Sequence, residues 1–306
     1  MLKFLIRRLV QAAATVLCVL TIAFFLGRAS GKPGALLLTD GATAEQIDQL
    51  NETLGFNRPL LAQYVDFALG VFRGDFGSSY RNPSIPAIEL VAERLPATVS
   101  LALTSFVIGV VLALAAALSI HVFRSRKLRA LFIWGGSLRQ SVPDFFFGVL
   151  AVLVFSVVLG ALPSLGFTGP ASYVLPVMTI ATGQFVLYVR LLDSALTEQS
   201  SQDYVRTAYA RGKSHGAVVA TEMLPNALLP VMTMAGLNLA GLLGGAVIVE
   251  QVFAWPGVGE VLINAVSQRD FAIVQAGLLV VALMFVVVNI VVDVLYSVLD
   301  PRVRLS

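Results

Sequence analysis

The stretch DYVRTAYARGKSHGAVVATEMLPNALLP, residues 203–230, lies between two apolar stretches that are each long enough to cross a membrane. It is too long for a simple hairpin between two spans, and it carries charges of both signs. Asp203 is a suitable N-cap for a short helix that ends at Gly212, since glycine readily adopts the left-handed conformation found after a helix. A second helix is expected to run to about Leu224, before Pro225. The sequence therefore predicts two short helices joined at a glycine on one face of a membrane.

The triplet Gly212-Lys213-Ser214 matches the end of a phosphate-binding loop, but the rest of that motif is missing. Thr207 stands where the first glycine is required, and no buried strand precedes the triplet. The sequence argues against nucleotide binding at this position.

Composition indicates a membrane protein. The chain has 306 residues, of which 57% are hydrophobic and 13% are charged, whereas soluble domains carry about a quarter charged residues. The net charge of +3 is too small to indicate a nucleic-acid partner. Cys18 is the only cysteine, and the two histidines, His121 and His215, lie near no carboxylate pair at a metal-ligand spacing. We predict no metal site and no catalytic residues, so the chain is not expected to be an enzyme.

Six apolar stretches have the length of about 20 residues that a membrane-spanning helix needs: Leu9–Gly27, Thr98–Ile120, Pro143–Leu162, Tyr173–Leu192, Leu228–Val249 and Ile273–Leu299. Placing the N-terminus inside puts most of the lysines and arginines in cytoplasmic segments, as the positive-inside rule requires. These residues are Lys3, Arg7, Arg8, Arg124, Arg126, Lys127, Arg129, Arg139, Arg206, Arg211, Lys213, Arg302 and Arg304. The prediction is an all-α polytopic membrane protein with six transmembrane helices and both termini in the cytoplasm.

The segment 31–96 between the first two spans is too long for a bare connection. Its sequence TAEQIDQLNETLGF predicts a short amphipathic helix, with Thr43 and Gln46 as a capping box and Gly55 as the C-terminal stop. A second helical pattern and a glycine-rich turn follow. We predict a small folded extracytoplasmic cap.

Polar and small residues inside the predicted spans are candidates for a transport pathway or for helix interfaces, and the sequence leaves both interpretations open. They are Gln184, Asn238, Gly241, Gly245, Asn289 and Asp293. For Asp293 the pattern favours pairing near the cytoplasmic end of the last span over contact with substrate. Asp144 begins a span beside Pro143 and is expected to cap that helix.

The first loop helix has a small apolar face formed by Val205, Ala208 and Tyr209. Arg206, Arg211 and Lys213 surround this face. Such a face fits a groove on another protein or rests on lipid headgroups, and the residues alone do not decide between them.

The pattern RTA-x3-G-x11-LP, residues 206–225, resembles the coupling loop of binding-protein-dependent ABC importers. Ala208, Gly212, Leu224 and Pro225 match that loop, whereas Arg206 replaces a glutamate, a departure seen in the peptide-importing branch. Further stretches resemble the peptide and nickel permeases in the same order along the chain. They are LIRRLVQ (5–11), NRPLLAQY (57–64), RGDFGSSY (73–80), ERLPATVSLAL (93–103), LPSLGF (162–167), EQVFAWPGVG (250–259) and LYSVLDPRVR (295–304).

This resemblance implies a type I ABC importer permease in a prokaryotic cell membrane. The expected organisation is a first span within 1–30, the cap at 31–96, a permease core at 97–300 with a coupling loop at 193–227, and a tail at 301–306. The implied ATPase-coupling residues are Asp203, Tyr204, Arg206, Ala208, Tyr209, Gly212, Leu224 and Pro225.

The resemblance also implies partners: a second permease, two cytoplasmic ATPases that use ATP and Mg, and an extracytoplasmic substrate-binding protein. No cofactor is expected on this chain itself. Dipeptides or oligopeptides are the implied substrates, with nickel or a metal chelate as the alternative. A stand-alone secondary transporter is disfavoured because it would need no coupling loop.

Overall fold

The computed structural model describes residues 2–29, 34, 38, 42–80 and 82–299, apart from the side chains of 2–5, 7, 9, 240, 243, 245 and 293–299. The predicted tail at 301–306 lies outside this part, as does most of the predicted outer turn at 31–34. The described residues form these α-helices: α1 (Leu2–Ala29), α2 (Ala44–Thr53), α3 (Leu60–Arg73), α4 (Ala87–Val122), α5 (Arg126–Gln140), α6 (Asp144–Ala151), α7 (Val174–Gln199), α8 (Asp203–Ala210), α9 (His215–Val218), α10 (Leu224–Phe253), α11 (Val258–Ser267) and α12 (Phe271–Leu299).

The all-α membrane architecture predicted from the sequence is confirmed. Among the described residues, five helical segments have the length and hydropathy of a membrane span, or up to seven if each of two bent helix pairs counts as one span. The five are Val10–Ala29, Ala87–Val122, Pro170–Gln199, His215–Leu239 and Phe271–Val292. These ranges overlap five of the six predicted spans, although His215–Leu239 begins 13 residues before the predicted Leu228–Val249. The number six lies within the observed range without being fixed by it.

The remaining predicted span, Pro143–Leu162, belongs to one of the bent pairs. α5 meets the helical segment Asp144–Val158 at an angle of 100°. That segment begins as α6 and continues as a π-helical turn, Val152–Val158. The apolar run is therefore helical over a shorter length than its composition suggests.

The described chain divides into two compact units, and their boundaries fall inside α4, between α10 and α11, and inside α12. The first unit comprises residues 1–98 and 256–287. Its core packs side chains of α1, α4, α11 and α12 against Phe76, and includes Leu20, Val91, Val258 and Ala276. The second unit comprises residues 99–255 and 288–306.

The predicted cap helix is present in the first unit as α2. The Thr43 hydroxyl accepts a hydrogen bond from the Gln46 backbone N–H (3.3 Å), and the Gln46 side chain accepts one from the Thr43 N–H (2.9 Å). Gly55 has a φ of +76° and follows the helix as predicted. The capping box and the glycine stop are both confirmed.

Gln63 on α3 ties this segment to the end of α1. It is buried, and its side-chain oxygen accepts a hydrogen bond from Nε of Arg28 at 2.6 Å. Its amide nitrogen donates to the backbone oxygens of Arg58 (2.7 Å) and Phe56 (3.3 Å). The Arg28 guanidinium also lies 4.0 Å from the centre of the Phe56 ring. The segment is thus a folded element, as its many aromatic residues predicted.

Asp270, immediately before α12, holds the glycine-rich turn that follows α3. It is 2% exposed, and one of its carboxylate oxygens accepts hydrogen bonds from the Ser79 hydroxyl (2.6 Å) and the Tyr80 N–H (3.1 Å). Burial raises the pKa of the neighbouring Tyr80 phenol above its ordinary value, against the opposing effect of the Arg28 guanidinium. Asp270 is the buried charge on which this part of the first unit depends.

The second unit is built around α7, which packs against α5, α6 and α10. Its core includes Tyr188, Leu192 and Leu196 of α7 together with Met223 and Ala227. Two of the stretches that carry the resemblance meet here, since the Gly166 N–H donates to the Phe253 carbonyl at 2.8 Å. Trp255 is 1% exposed, and its ring centre lies 5.5 Å from that of Phe167.

We expect Asp270→Asn to lower the free energy of unfolding by about 2 kcal/mol or more, because it weakens hydrogen bonds to a buried carboxylate. Thermal unfolding of the full chain in mild detergent measures this loss. Asp66→Asn is the matched control, since Asp66 is half-exposed and pairs with the exposed Arg58; its loss is expected to stay below about 1 kcal/mol. Equal losses in the two variants would contradict the role assigned to Asp270.

Candidate functional site

The apolar face of α8 points into its own chain. Val205 is 1% exposed and Ala208 is 5% exposed, and both belong to the core of the second unit, with Leu196 of α7 and Val218 of α9. The expectation that this face is presented to a partner's groove or to lipid is therefore wrong for Val205 and Ala208. The helix offers its opposite, polar face to solvent, formed by Asp203, Arg206, Thr207, Ala210 and Arg211.

Helix α8 ends as the glycine predicted. Gly212 has a φ of +79°, and its N–H donates to the carbonyl of Tyr209 at 2.9 Å. The N–H of Lys213 donates to the carbonyl of Ala208 at 3.3 Å. This pair of bonds is the Schellman motif, which satisfies carbonyls at a helix end. Asp203, in contrast, is the first helical residue, because Gln202 occupies the N-cap position.

Two tyrosines of α8 attach it to the neighbouring helices. The Tyr204 hydroxyl donates to the Gln199 side chain at the end of α7 (2.6 Å) and accepts from Asn226 of α10 (3.3 Å). The Tyr209 ring is stacked on His215 of α9, with the planes 9° apart and the hydroxyl 2.6 Å from Nδ1. Both side chains position the loop helix within the chain.

The second loop helix does not stop before Pro225. α9 continues through a π-helical turn, Val219–Met223, directly into α10. In that turn the Leu224 N–H donates to the Val219 carbonyl, five residues earlier. Pro225, which has no N–H to donate, follows this turn inside the continuing helix. The expectation that the helix ends near Leu224 is wrong, because the chain stays helical through the π-helical turn and past the proline.

Three of the residues predicted for a pathway or a helix interface lie together in the second unit. Gln184 of α7 and Asn238 and Gly241 of α10 line one cavity of about 190 Å³. Asn289 lies on α12 and is half-buried. For Gly245 and Asp293 only the helical backbone is described, and their surroundings lie outside the described part of the chain.

Asp144 also lines this cavity, which the sequence did not predict. It is the first residue of α6, and Pro143 occupies the N-cap position, so the expectation that Asp144 caps the helix is wrong. Instead, Nη2 of Arg139 donates to its carboxylate at 2.7 Å. The Asp144 side chain is 54% exposed, whereas that of Arg139 is 10% exposed.

Arg139 fixes the corner between α5 and α6. Besides Asp144, it donates to the carbonyls of Val142 (3.0 Å) and Thr179 (2.7 Å) and to the Thr182 hydroxyl (2.9 Å). The guanidinium thus has three hydrogen-bond acceptors besides Asp144. It does not depend on the Asp144 carboxylate alone to satisfy its buried donors. The cavity therefore has a half-exposed negative charge on its wall, held by a nearly buried arginine.

Comparison with known proteins decides the family. The family described as "Binding-protein-dependent transport system inner membrane component" matches residues 105–305, and the family of its N-terminal component matches residues 1–102. This chain belongs to that family. It is an inner-membrane permease of an ABC importer of the peptide branch, and the predicted family and multi-pass membrane localisation are confirmed.

Two relatives align with the permease over nearly their whole length. It is 36% identical to the "Glutathione transport system permease protein GsiC" of Escherichia coli over 305 residues, with 99% of each chain covered. It is 35% identical to a "Putative peptide transport system permease protein" of Brucella abortus over 317 residues, again with 99% of each covered. Membership of the family implies a substrate-binding protein and ATPase subunits as partners.

Solved structures share the fold of the permease. An inward-facing MetNI methionine ABC transporter aligns with a TM-score of 0.56 at 18% identity, covering 69% of this chain and 96% of that one. An amino acid ABC transporter aligns with a TM-score of 0.52 at 17% identity, covering 70% and 94%. At these identities the likeness concerns the fold alone.

The permease also has a buried acid that the sequence analysis missed. Asp193 of α7 is 5% exposed. It accepts hydrogen bonds from Arg129 of α5, at 2.7 Å from Nη2 and 2.9 Å from Nε, and lies 3.1 Å from Nε2 of His121. Neither the arginine nor the histidine is near Asp193 in sequence, so only the fold reveals the cluster.

We expect Gly212→Ala to destabilise the end of α8 by about 1 kcal/mol, because an L-residue is strained at this positive φ. Within the part of the chain that the structure describes, no atom lies within 4 Å of the added carbon, so the cost is conformational. Amide hydrogen exchange in residues 203–213 is expected to become about fivefold faster.

Gly135→Ala is the control for this change. Gly135 lies within α5 and also has open space around the added carbon, but its φ is ordinary. Unchanged exchange in Gly212→Ala, or an equal rise in both variants, would contradict the strain argument.

Proposed function

We propose that this permease is the membrane subunit of an ATP-driven importer of dipeptides and oligopeptides, and that residues 193–227 couple it to cytoplasmic ATPases. The observation that carries the coupling role is the burial of Val205 and Ala208 in the core of the second unit. A helix held in this way moves with α7 and α9, because packed interiors transmit displacement. Its exposed polar face is free to bind a partner.

The predicted coupling residues divide into two groups on this proposal. Asp203, Arg206 and the neighbouring Thr207 are exposed and form the surface that contacts the ATPase. The others hold that surface in place through packing, hydrogen bonds or backbone conformation: Tyr204, Ala208, Tyr209, Gly212, Leu224 and Pro225. ATP and Mg are used by the ATPase subunits, and this chain supplies the mechanical connection.

A second permease completes the pathway on this proposal. Gly236 of α10 packs within the chain, since a side-chain carbon there would overlap Val292 of α12. Gly241 and Gly244, on the same helix, have no atom of the described residues within 4 Å of an added carbon. α10 thus has one small-residue position used inside the subunit and two that face open space. The open positions lie beside the cavity and suit a second subunit that closes it.

The chemistry of the cavity suits a peptide. The side-chain amides of Gln184 and Asn238 can donate to and accept from peptide groups whatever the substrate side chains are. The Asp144 carboxylate supplies a negative charge for the ammonium group at a peptide N-terminus. The relatives named for glutathione and peptide transport support the same substrate class.

We expect Thr207→Arg to abolish recovery of the ATPase subunits with the tagged permease and to abolish uptake, because a bulky charge interrupts the exposed face of α8. Co-purification from the native membrane followed by mass spectrometry measures this. Undiminished recovery of the ATPase with Thr207→Arg would exclude α8 as the contact surface.

Thr53→Arg is the matched control. Both threonines are exposed on short helices. Each donates its hydroxyl to the carbonyl four residues earlier, at 3.0 Å for Thr207 and 2.9 Å for Thr53. The control is expected to retain the ATPase subunits, since Thr53 lies in the predicted extracytoplasmic cap.

We expect Asp144→Asn to lower the uptake rate of a dipeptide with a free N-terminus by about tenfold, the size of a lost hydrogen bond to a charged group. Uptake of the N-acetylated dipeptide is expected to change little, because it carries no ammonium group. Transport of labelled peptides by the whole complex in vesicles measures both. Equal losses for the two peptides would show that Asp144 acts only through the corner at Arg139.

A further inference from the structure

A second cavity, of about 410 Å³, lies in the second unit beside the loop helix. Its walls come from the end of α4, the start of α5, α7 and Tyr209 of α8. None of its lining residues belongs to the smaller cavity assigned to the pathway. Its role is therefore separate from that of the pathway.

Positive charge exceeds negative charge in this cavity. Arg124, Arg126 and Arg129 line it, and Asp193 is its carboxylate. That carboxylate is already bound by Arg129 and lies 3.1 Å from Nε2 of His121. One arginine is thus neutralised inside the cavity and two are not. Arg126 is exposed and makes no hydrogen bond or ion pair with the part of the chain that the structure describes.

Arg124 is held in place without being neutralised. Nε2 of His215 lies 2.9 Å from the backbone carbonyl of His121, so this nitrogen must carry the hydrogen. Nδ1 then accepts from the Tyr209 hydroxyl at 2.6 Å. Arg124 lies against the same ring, with its Nε 3.2 Å from Nε2 and its Nη2 3.3 Å from Nδ1, and an imidazole supplies no negative charge to balance the guanidinium. The guanidinium lies against the imidazole with donors left for another acceptor.

We propose that this cavity binds a phosphate group, either the headgroup of an anionic lipid or a free phosphate anion. A guanidinium group binds phosphate oxygens with paired N–H donors. Asp193 balances the charge of only one of the three arginines, so the positive charges of the other two remain to attract an anion. Hydroxyls of Ser125 and Tyr209 line the same space. A bound phosphate would contact both α5 and α8, so that its occupancy would stiffen the join between the loop helix and the spans.

The surroundings place the cavity at the depth of lipid headgroups. Phe123, directly before Arg124, is 71% exposed, and Trp134 on α5 is 76% exposed. Exposed aromatic residues are typical of the membrane interface. Basic pockets between helices on the cytoplasmic side of membrane proteins bind anionic headgroups. The lipid is thus the source of phosphate that the structure favours.

The test compares Arg126→Gln with Lys127→Gln in the full chain. Both residues are exposed neighbours at the start of α5, and each substitution removes one positive charge, but only Arg126 lines the cavity. Each protein is purified in mild detergent and titrated with phosphatidylglycerol, with phosphatidylcholine and, separately, with inorganic phosphate. Native mass spectrometry counts bound lipid, and thermal unfolding reports stabilisation by phosphate.

We expect the wild type and Lys127→Gln to bind phosphatidylglycerol in preference to phosphatidylcholine, and Arg126→Gln to bind it about tenfold more weakly. Stabilisation by inorganic phosphate that is lost only in Arg126→Gln would equally support the site and would identify the soluble anion as its source. Combining this change with Arg124→Gln is expected to remove the remaining preference.

Two results would overturn the proposal. One is binding of lipid and phosphate that does not differ between Arg126→Gln and Lys127→Gln. The other is loss of the ATPase subunits from Arg126→Gln with lipid and phosphate binding unchanged, which would assign the arginines to a protein contact. Neither result bears on peptide uptake, so the proposed transport function is tested separately.

Discussion

Burial of Val205 and Ala208 in the core of the second unit is the constraint on which the loop depends. An eight-residue helix is too short to be stable in water on its own, so α8 exists because its apolar side chains pack on α7 and α9. The same packing decides which side chains remain outside. The polar surface of the loop is thus a consequence of how the helix is stabilised, and its orientation is tied to the spans around it.

Charged groups fix the corners of the second unit. Arg139 binds two backbone carbonyls, a hydroxyl and the Asp144 carboxylate where α5 turns into α6. Arg129 binds the buried Asp193 and so joins α5 to α7. A buried carboxylate is costly unless its oxygens are hydrogen-bonded, and here each has partners from a different element. α5 is therefore held to α7 near both of its ends.

Local chemistry was predictable from the sequence, and long-range packing was not. The capping box at Thr43 and the left-handed glycines Gly55 and Gly212 follow from residues within one helical turn, and the structure has all three. Helical periodicity also showed that Val205 and Ala208 share a face. It could not show what that face touches, because periodicity does not give the orientation of α8 relative to its neighbours α7 and α9.

The same limit explains the errors at Asp144 and Pro225. The neighbouring residues in the sequence suggest that Asp144 caps α6. In the structure, its carboxylate instead pairs with Arg139 across the corner between α5 and α6. A proline after a polar stretch suggests a helix end, but the helix continues past Pro225 by way of a π-helical turn. Gln184, Asn238 and Gly241 line one cavity, and their assignment to a pathway or to a helix interface stays a prediction.

The π-helical turn Val219–Met223 stands between the loop and the span that carries Asn238. A π turn holds one residue more than an α turn, and each α-helical residue corresponds to about 100° of rotation and about 1.5 Å of rise. If this turn tightened to α geometry, α10 would rotate about its axis relative to α9 while both stayed helical. A small change of hydrogen-bond register in this turn, beside the loop, would therefore rotate the cavity-lining side of a transmembrane helix.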